Sequence, residues 1–206
     1  MAYRNLREFV DDLDAAGSLK RITASVSPHL EITEITDRVT KAEGPALLFE
    51  NVEGSDVPLL INAYGTYDRM AKALGVDDIE EIAAEIEDMI KLAPPATFME
   101  KMKTAATLAK VARFPPKTVK SGPCQDVVLQ GADVDLFSLP IITCWPEDAG
   151  PYITFGQVMT KSLESGARNV GLYRVQVFDK DQAAMHWPMH HHGPTHYRQY
   201  CDAAER

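Results

Sequence analysis

The sequence predicts an α+β protein in two parts: a small α+β domain over residues 1–113 and a β-rich, barrel-like domain over 118–206. Three observations carry this. Helix-spaced apolar positions with cap residues recur through the first half. Short apolar runs bounded by Gly, Pro and Asp fill the second. Phe114-Pro115-Pro116-Lys117 stands between them as a linker. A chain of 206 residues has room for one large or two small domains and a sizeable core.

Residues 3–16 place Leu6, Phe9, Val10 and Leu13 at helix spacing, with Asn5 as cap, Glu8 three residues later and Gly17 as terminator. Leu19 to Val26 alternates and predicts a strand. Glu31 to Glu43, with Ile32, Ile35 and Val39 on one face, predicts a second helix stopped by Gly44-Pro45. Ala46–Phe49 and Val57–Ile61 read as strands split by the turn residues Gly54-Ser55-Asp56. Thr66 to Leu74 predicts a helix ending at Gly75. Asp77-Asp78 opens another, with Ile79, Ile82, Ile86, Met89 and Ile90 on one face and acidic residues in its first turn, where the helix dipole favours them. Phe98 to Ala112 predicts one more.

Beyond the linker come the β runs Val127–Leu129, Leu139–Ile142, Tyr152–Met159, Val170–Phe178 and Ala183–Trp187, and then a helix from Thr195 to Arg206. Their spacing predicts a barrel or a sandwich. Five runs fall short of the roughly eight strands of a small closed barrel, so the domain is expected to be incomplete.

The net charge of -9 argues against general nucleic-acid binding. The locally basic stretch with Lys101, Lys103, Lys110 and Arg113 reads as a solvated helix face. No apolar run has the length of a membrane span, and the charged N-terminus is no signal peptide. Cys124, Cys144 and Cys201 are odd in number and widely spaced, which fits a reducing cytoplasm, and no CxxC pair suggests structural zinc.

Residues 169–196 concentrate the chemistry, with five of the six histidines: His186, His190, His191, His192 and His196. Imidazole is the commonest metal ligand near neutral pH. Three consecutive histidines on an extended chain cannot all face one ion, so the residues alone leave open a metal role, a solvated turn or core histidines. Arg174 interrupts the apolar run 170–178. Facing inward it needs an anionic partner such as a phosphate or carboxylate, and facing outward it needs none. Asn169 and Arg174, five apart, fall on opposite faces of a regular strand. Both serve one site only if the chain bends, and Gly171 is the expected place. Residues 146–154, with two prolines and a glycine, read as a rigid turn entering a strand or as a pocket wall.

PYITFGQVMTK, LESGARNVGLYRVQVFD and AAMHWPMHHHGPTHYRQY, with YRNLREFVDDLDAAGSLKRI and GPALLFENVEG earlier, resemble the UbiD family of carboxy-lyases along nearly the whole chain. The resemblance implies a small α+β domain followed by a split β-barrel of the flavin-reductase type. It implies prenylated FMN, a manganese ion and a potassium ion near the phosphate. Asn169 matches a metal-ligating Asn. Arg174 matches the Arg that holds the substrate carboxylate and supports the flavin. Leu172 and Tyr173 lie along the cofactor, and His186, Trp187, Pro188, His191 and His192 line it. By spacing, His192 best matches the metal-binding His, with His190 and His191 as alternatives.

The implied reaction is non-oxidative decarboxylation of an aromatic or α,β-unsaturated acid, with 4-hydroxybenzoate-type acids of ubiquinone biosynthesis the default. The resemblance further implies a flavin prenyltransferase as cofactor supplier, a homo-oligomer as the complete enzyme and a place in the cytoplasm. The family's third metal ligand, its proton-shuttling carboxylates and its oligomerisation domain lie beyond residue 206, so the sequence reads as an N-terminal portion. A non-catalytic remnant, a partner-dependent subunit, a plain flavin-binding split-barrel reductase and a metal-binding module are the other readings.

Overall fold

The computed structural model describes residues 3–91, 97–112, 115 and 118–204. In chain order the elements are α1 (Leu6–Ala15), β1 (Leu19–Ile22), α2 (Glu31–Lys41), β2 (Ala46–Phe49), β3 (Leu59–Ile61), α3 (Tyr67–Leu74), α4 (Ile79–Ile90) and α5 (Phe98–Val111). After three short 3-10 turns follow β4 (Tyr152–Ile153), β5 (Gln157–Lys161), β6 (Arg168–Leu172), β7 (Val175–Asp179), β8 (Gln182–Met185) and α6 (His192–Ala204). The chain is thus mixed α and β with three small sheets among the described residues. It divides into two compact units, Met1–Ser18 with Tyr64–Gln130, and Leu19–Ala63 with Gly131–Arg206.

The first unit is helical, and its helix starts follow local chemistry. The Asn5 side chain accepts from Glu8 N at 3.0 Å, and Glu8 in turn accepts from Arg4 N. Thr66 caps α3, and Asp78 with Glu81 forms a reciprocal capping box on α4. α3 ends where Gly75 adopts φ 73°, a left-handed conformation that costs glycine little. Phe9 is buried between Tyr3 and a stacked Tyr64. On the apolar side of α4, Ile79, Ile82 and Met89 are half-buried while Ile86 and Ile90 are exposed. The linker residues other than Pro115, the side chains of Lys101, Lys103 and Lys110, and Arg113 lie outside the described residues.

The second unit carries the sheets. β1 runs parallel to β2 with α2 as the crossover, and β3 returns antiparallel to β2. Phe49 and Ile32 are wholly buried and form a core with Val26, Leu47, Val52 and Ile142. Ile142 comes from the later segment, so this core ties the early sheet to residues beyond 131. β4, β7 and β8 make an antiparallel sheet, and β5 with β6 makes a two-stranded ladder on which α6 packs.

Four strand expectations change. Val127, Val128 and Leu129 are exposed and lie outside the strands of the described residues. Leu139–Ile142 reduces to an isolated bridge from Ile142 to Tyr152, Pro140 having no N–H to give. The runs 152–159 and 170–178 each break into two strands belonging to different sheets. The second break falls at Tyr173-Arg174. Gly171, the expected bend, stays in register opposite Val158.

Candidate functional site

The switch from β6 to β7 builds the site. Along β6, Asn169 and Gly171 lie on the half-buried face, while Val170 and Leu172 lie on the other and are more than half exposed. The ladder then ends, Tyr173 turns inward to 6% exposure, and β7 joins the other sheet. Arg174 sits at the crossing, with its carbonyl accepting from His186 N at 3.0 Å.

The guanidinium is held by Asp148 and Tyr152, with the Cys144 side chain as a further partner. Asp148 takes two parallel bonds from it, Nη1 to Oδ1 at 2.8 Å and Nη2 to Oδ2 at 2.5 Å. Tyr152 lies beneath it, with Cζ 3.7 Å from the ring centroid. Strand register explains the second contact. Tyr152 pairs with Gln176, Arg174 precedes Gln176 by two, and a diagonal neighbour on one face is within reach of an aromatic ring. Tyr152 is itself fixed by donating from its hydroxyl to Gln176 Oε1 at 3.0 Å.

Asp148 is anchored by the turn before it, where its carboxylate accepts from Trp145 N at 3.1 Å and its N–H donates to Trp145 O. Its side chain is 10% exposed against 35% for Arg174. The Arg174 hydrogen bonds hold its carboxyl below the usual carboxylate range although burial opposes them, and the same pairing holds Arg174 protonated. From the sequence, Asp148 is only part of a rigid loop. The signal for its role is a contact across 26 positions, which no local pattern encodes.

An aromatic cluster adjoins Tyr173. Trp187 meets it edge-on at 6.1 Å, His191 tilts against it at 6.0 Å, and Tyr197 meets Trp187 at 5.4 Å. Gly193 N donates to the Tyr173 hydroxyl at 3.2 Å. The structure therefore brings together Tyr173, Trp187 and His191. Pro188 is half-buried and takes part through its carbonyl, which accepts from His191 N. Leu172 is on the outer face, and His186 and His192 are exposed. Trp187 Nε1 is buried with no partner. A buried donor of this kind calls for an acceptor, and a flavin, rich in carbonyl and phosphate oxygens, supplies the right chemistry.

The metal donors fit less well. Among the described residues no three His, Cys, Asp or Glu side chains converge on one point. Asn169 stands opposite Thr160 across the β5–β6 ladder, and the imidazole over that pair belongs to His196, whose Nδ1 is 2.9 Å from Thr160 Oγ1. His196 is the most buried histidine. Sequence reading passes over it because spacing from Asn169 favours the preceding run. No helix among the described residues is long and apolar enough to cross a membrane.

Comparison with known proteins places this geometry in context. A model of the 3-octaprenyl-4-hydroxybenzoate carboxy-lyase N-terminal domain (UbiD_N) matches residues 10–89, and one of the Rift-related domain of the same enzyme (UbiD) matches 117–206. An uncharacterized protein of Aquifex aeolicus is 51% identical over 197 residues, covering 95% of this chain and 40% of that protein. Among solved structures, the UbiD-class enzyme HmfF of Pelotomaculum thermopropionicum in complex with FMN is 26% identical with a TM-score of 0.75, covering 96% of this chain and 40% of that one. The vanillic acid decarboxylase of Sedimentibacter hydroxybenzoicus, in its open form, is 27% identical with a TM-score of 0.69, covering 89% and 36%. The chain spans about two fifths of the length of these relatives.

Proposed function

The chain belongs to the UbiD carboxy-lyase family, and from that premise we propose that it carries the flavin cradle and the carboxylate-binding arginine of a non-oxidative, prenylated-FMN-dependent decarboxylase. The substrate class is an aromatic or α,β-unsaturated acid. Vanillic acid, the substrate of one structural relative, belongs to it, as do the 4-hydroxybenzoate-type acids of ubiquinone biosynthesis. The observation that carries the reading is Arg174, half-buried, pinned in place and adjacent in sequence to the aromatic cluster.

Tyr173, Trp187, Pro188 and His191 would wall the flavin, with the Trp187 N–H as donor to it, and Leu172, His186 and His192 would complete the lining. When bound, the modified flavin serves as an electron sink for the pair left behind as CO2 departs. Arg174 binds and orients the carboxylate that leaves. Asp148, kept ionised by Arg174, is no proton donor near neutral pH, so the proton that replaces CO2 comes from another group. Asn169 and His192 are the manganese ligands in this reading. Two donors make no complete site, so the chemistry assigned to this chain runs through Arg174 alone.

The β-rich part is read as an incomplete split barrel. The division into domains 1–113 and 118–206 is supported by the two family matches falling on either side of it. The short span of the chain relative to its relatives favours a second reading, in which it works only together with a further polypeptide segment. The test is reconstitution of the purified chain with prenylated FMN, followed by gel filtration and CO2 release from a panel of aromatic acids. Cofactor retention, with any CO2 release abolished by Arg174→Ala, is expected. Retention without release selects the second reading, and failure to retain flavin overturns both.

A further inference from the structure

We infer that Asp148 is the positioning residue for Arg174, fixing which edge of the guanidinium is offered to a bound carboxylate. The inference rests on the carboxylate-binding role proposed for Arg174. A guanidinium has five N–H donors in one plane. Asp148 takes one from each terminal nitrogen, and so occupies the end-on edge. Tyr152 covers one face of the plane. The Cys144 side chain also contacts the guanidinium, and a second anion meets the donors that Asp148 and Cys144 leave, on the edge that includes Nε. Because both Asp148 oxygens are engaged and its own turn is closed by Trp145 N, the plane cannot rotate without breaking two charge-assisted bonds together.

The pairing also sets the charge that a ligand meets. An incoming carboxylate finds a neutral Arg–Asp pair with directed donors, where an unpaired Arg would be a diffuse cation. Selection then depends on the geometry of the donors more than on long-range attraction. A carboxylate that presents both oxygens in the guanidinium plane is favoured over a singly bonding anion.

The experiment uses the 15N-labelled chain with FMN bound and benzoate as the probe. Arg174 Nε–H is assigned by its loss in Arg174→Ala. In the unmodified chain this signal is sharp and shifts as benzoate binds. In Asp148→Asn, which keeps shape and removes charge, the signal broadens and the benzoate Kd rises about tenfold. Asp148→Glu keeps the charge, retains the signal and limits the rise to about threefold. The glutamate variant decides the matter should the asparagine variant fail to give a dispersed amide spectrum. A sharp signal with unchanged affinity in Asp148→Asn overturns the inference, and so does a broadened signal with unchanged affinity, which means that the orientation Asp148 fixes is not the one a carboxylate uses. Should Arg174→Ala bind benzoate as well as the unmodified chain, the carboxylate role of Arg174 falls, and the Arg174 signal in the Asp148 variants still decides whether Asp148 fixes its orientation.

Discussion

Tyr173 closes over Gly171 so tightly that a Cβ at position 171 would stand 2.5 Å from its ring. The ring is buried and braced by Trp187 and by Gly193 N, so it has little room to retreat. Gly171→Ala is expected to cost about 1–3 kcal/mol, the usual range for forcing extra volume into packed side chains. A urea titration gives the stability, and FMN fluorescence quenching reports whether the displaced ring disturbs flavin binding. An unchanged urea midpoint would mean that the ring yields freely.

The acid limb of stability should carry the Asp148–Arg174 pair. The Asp148 carboxyl is lowered in the folded chain, chiefly by its bonds from Arg174. A lowered carboxyl contributes stability that is complete above its unfolded pKa, about 3.9, and is lost as pH falls through the lower folded value. Acid unfolding followed by circular dichroism should therefore steepen below about pH 4. Asp148→Asn should show a shallower slope there and lower stability at pH 7.

At the alkaline end the first unit has its own marker. The Tyr3 hydroxyl donates to Asp12 Oδ2 at 2.5 Å, and its pKa is raised from 10.0 to about 12, by burial first and then by this bond and the Asp12 charge. A raised pKa means stability that is complete below the unfolded value and is lost as pH climbs between 10.0 and about 12. Tyr3→Phe should flatten thermal stability across that window, and absorbance of the tyrosinate at high pH follows the same step.

Thr160→Val removes the hydroxyl that meets His196 Nδ1 and leaves a buried nitrogen without its partner. The expected loss is about 1–2 kcal/mol. Nitrogen shifts of the His196 ring report whether the tautomer also changes. Preservation of both stability and tautomer would show the contact to be incidental.

What the sequence displayed and what it hid divide along one physical line. Asn5, Thr66, Asp78 and Gly75 act within a turn of where they stand, so helix ends could be read from neighbouring residues. The strands 46–49 and 59–61 were legible as apolar runs on either side of the turn residues Gly54-Ser55-Asp56. The break at Tyr173-Arg174 was not, because Val170 to Phe178 keeps a strand's texture while its two halves join different sheets. Val127 to Leu129 has equal β character and lies outside the strands of the described residues. In the candidate site, Arg174 stood out as a charge inside an apolar run, and Tyr173 entered only through the family resemblance. Asp148 and His196 did not, because their roles come from contacts 26 and 36 positions away.

The Asp148–Arg174 pair lies at the mouth of the β5–β6 hairpin, and the ladder from Gln157↔Leu172 to Lys161↔Arg168 closes the same loop a second time. The hairpin tip, residues 163–167, is exposed. A cut at that exposed tip breaks the local turn bond from Ser165 N to Ser162 Oγ, while the severed strands remain tethered to each other by the ladder and the ion pair. The bond between Glu164 and Ser165 is thus a suitable place for an inserted reporter, held at the far end of the hairpin from Arg174.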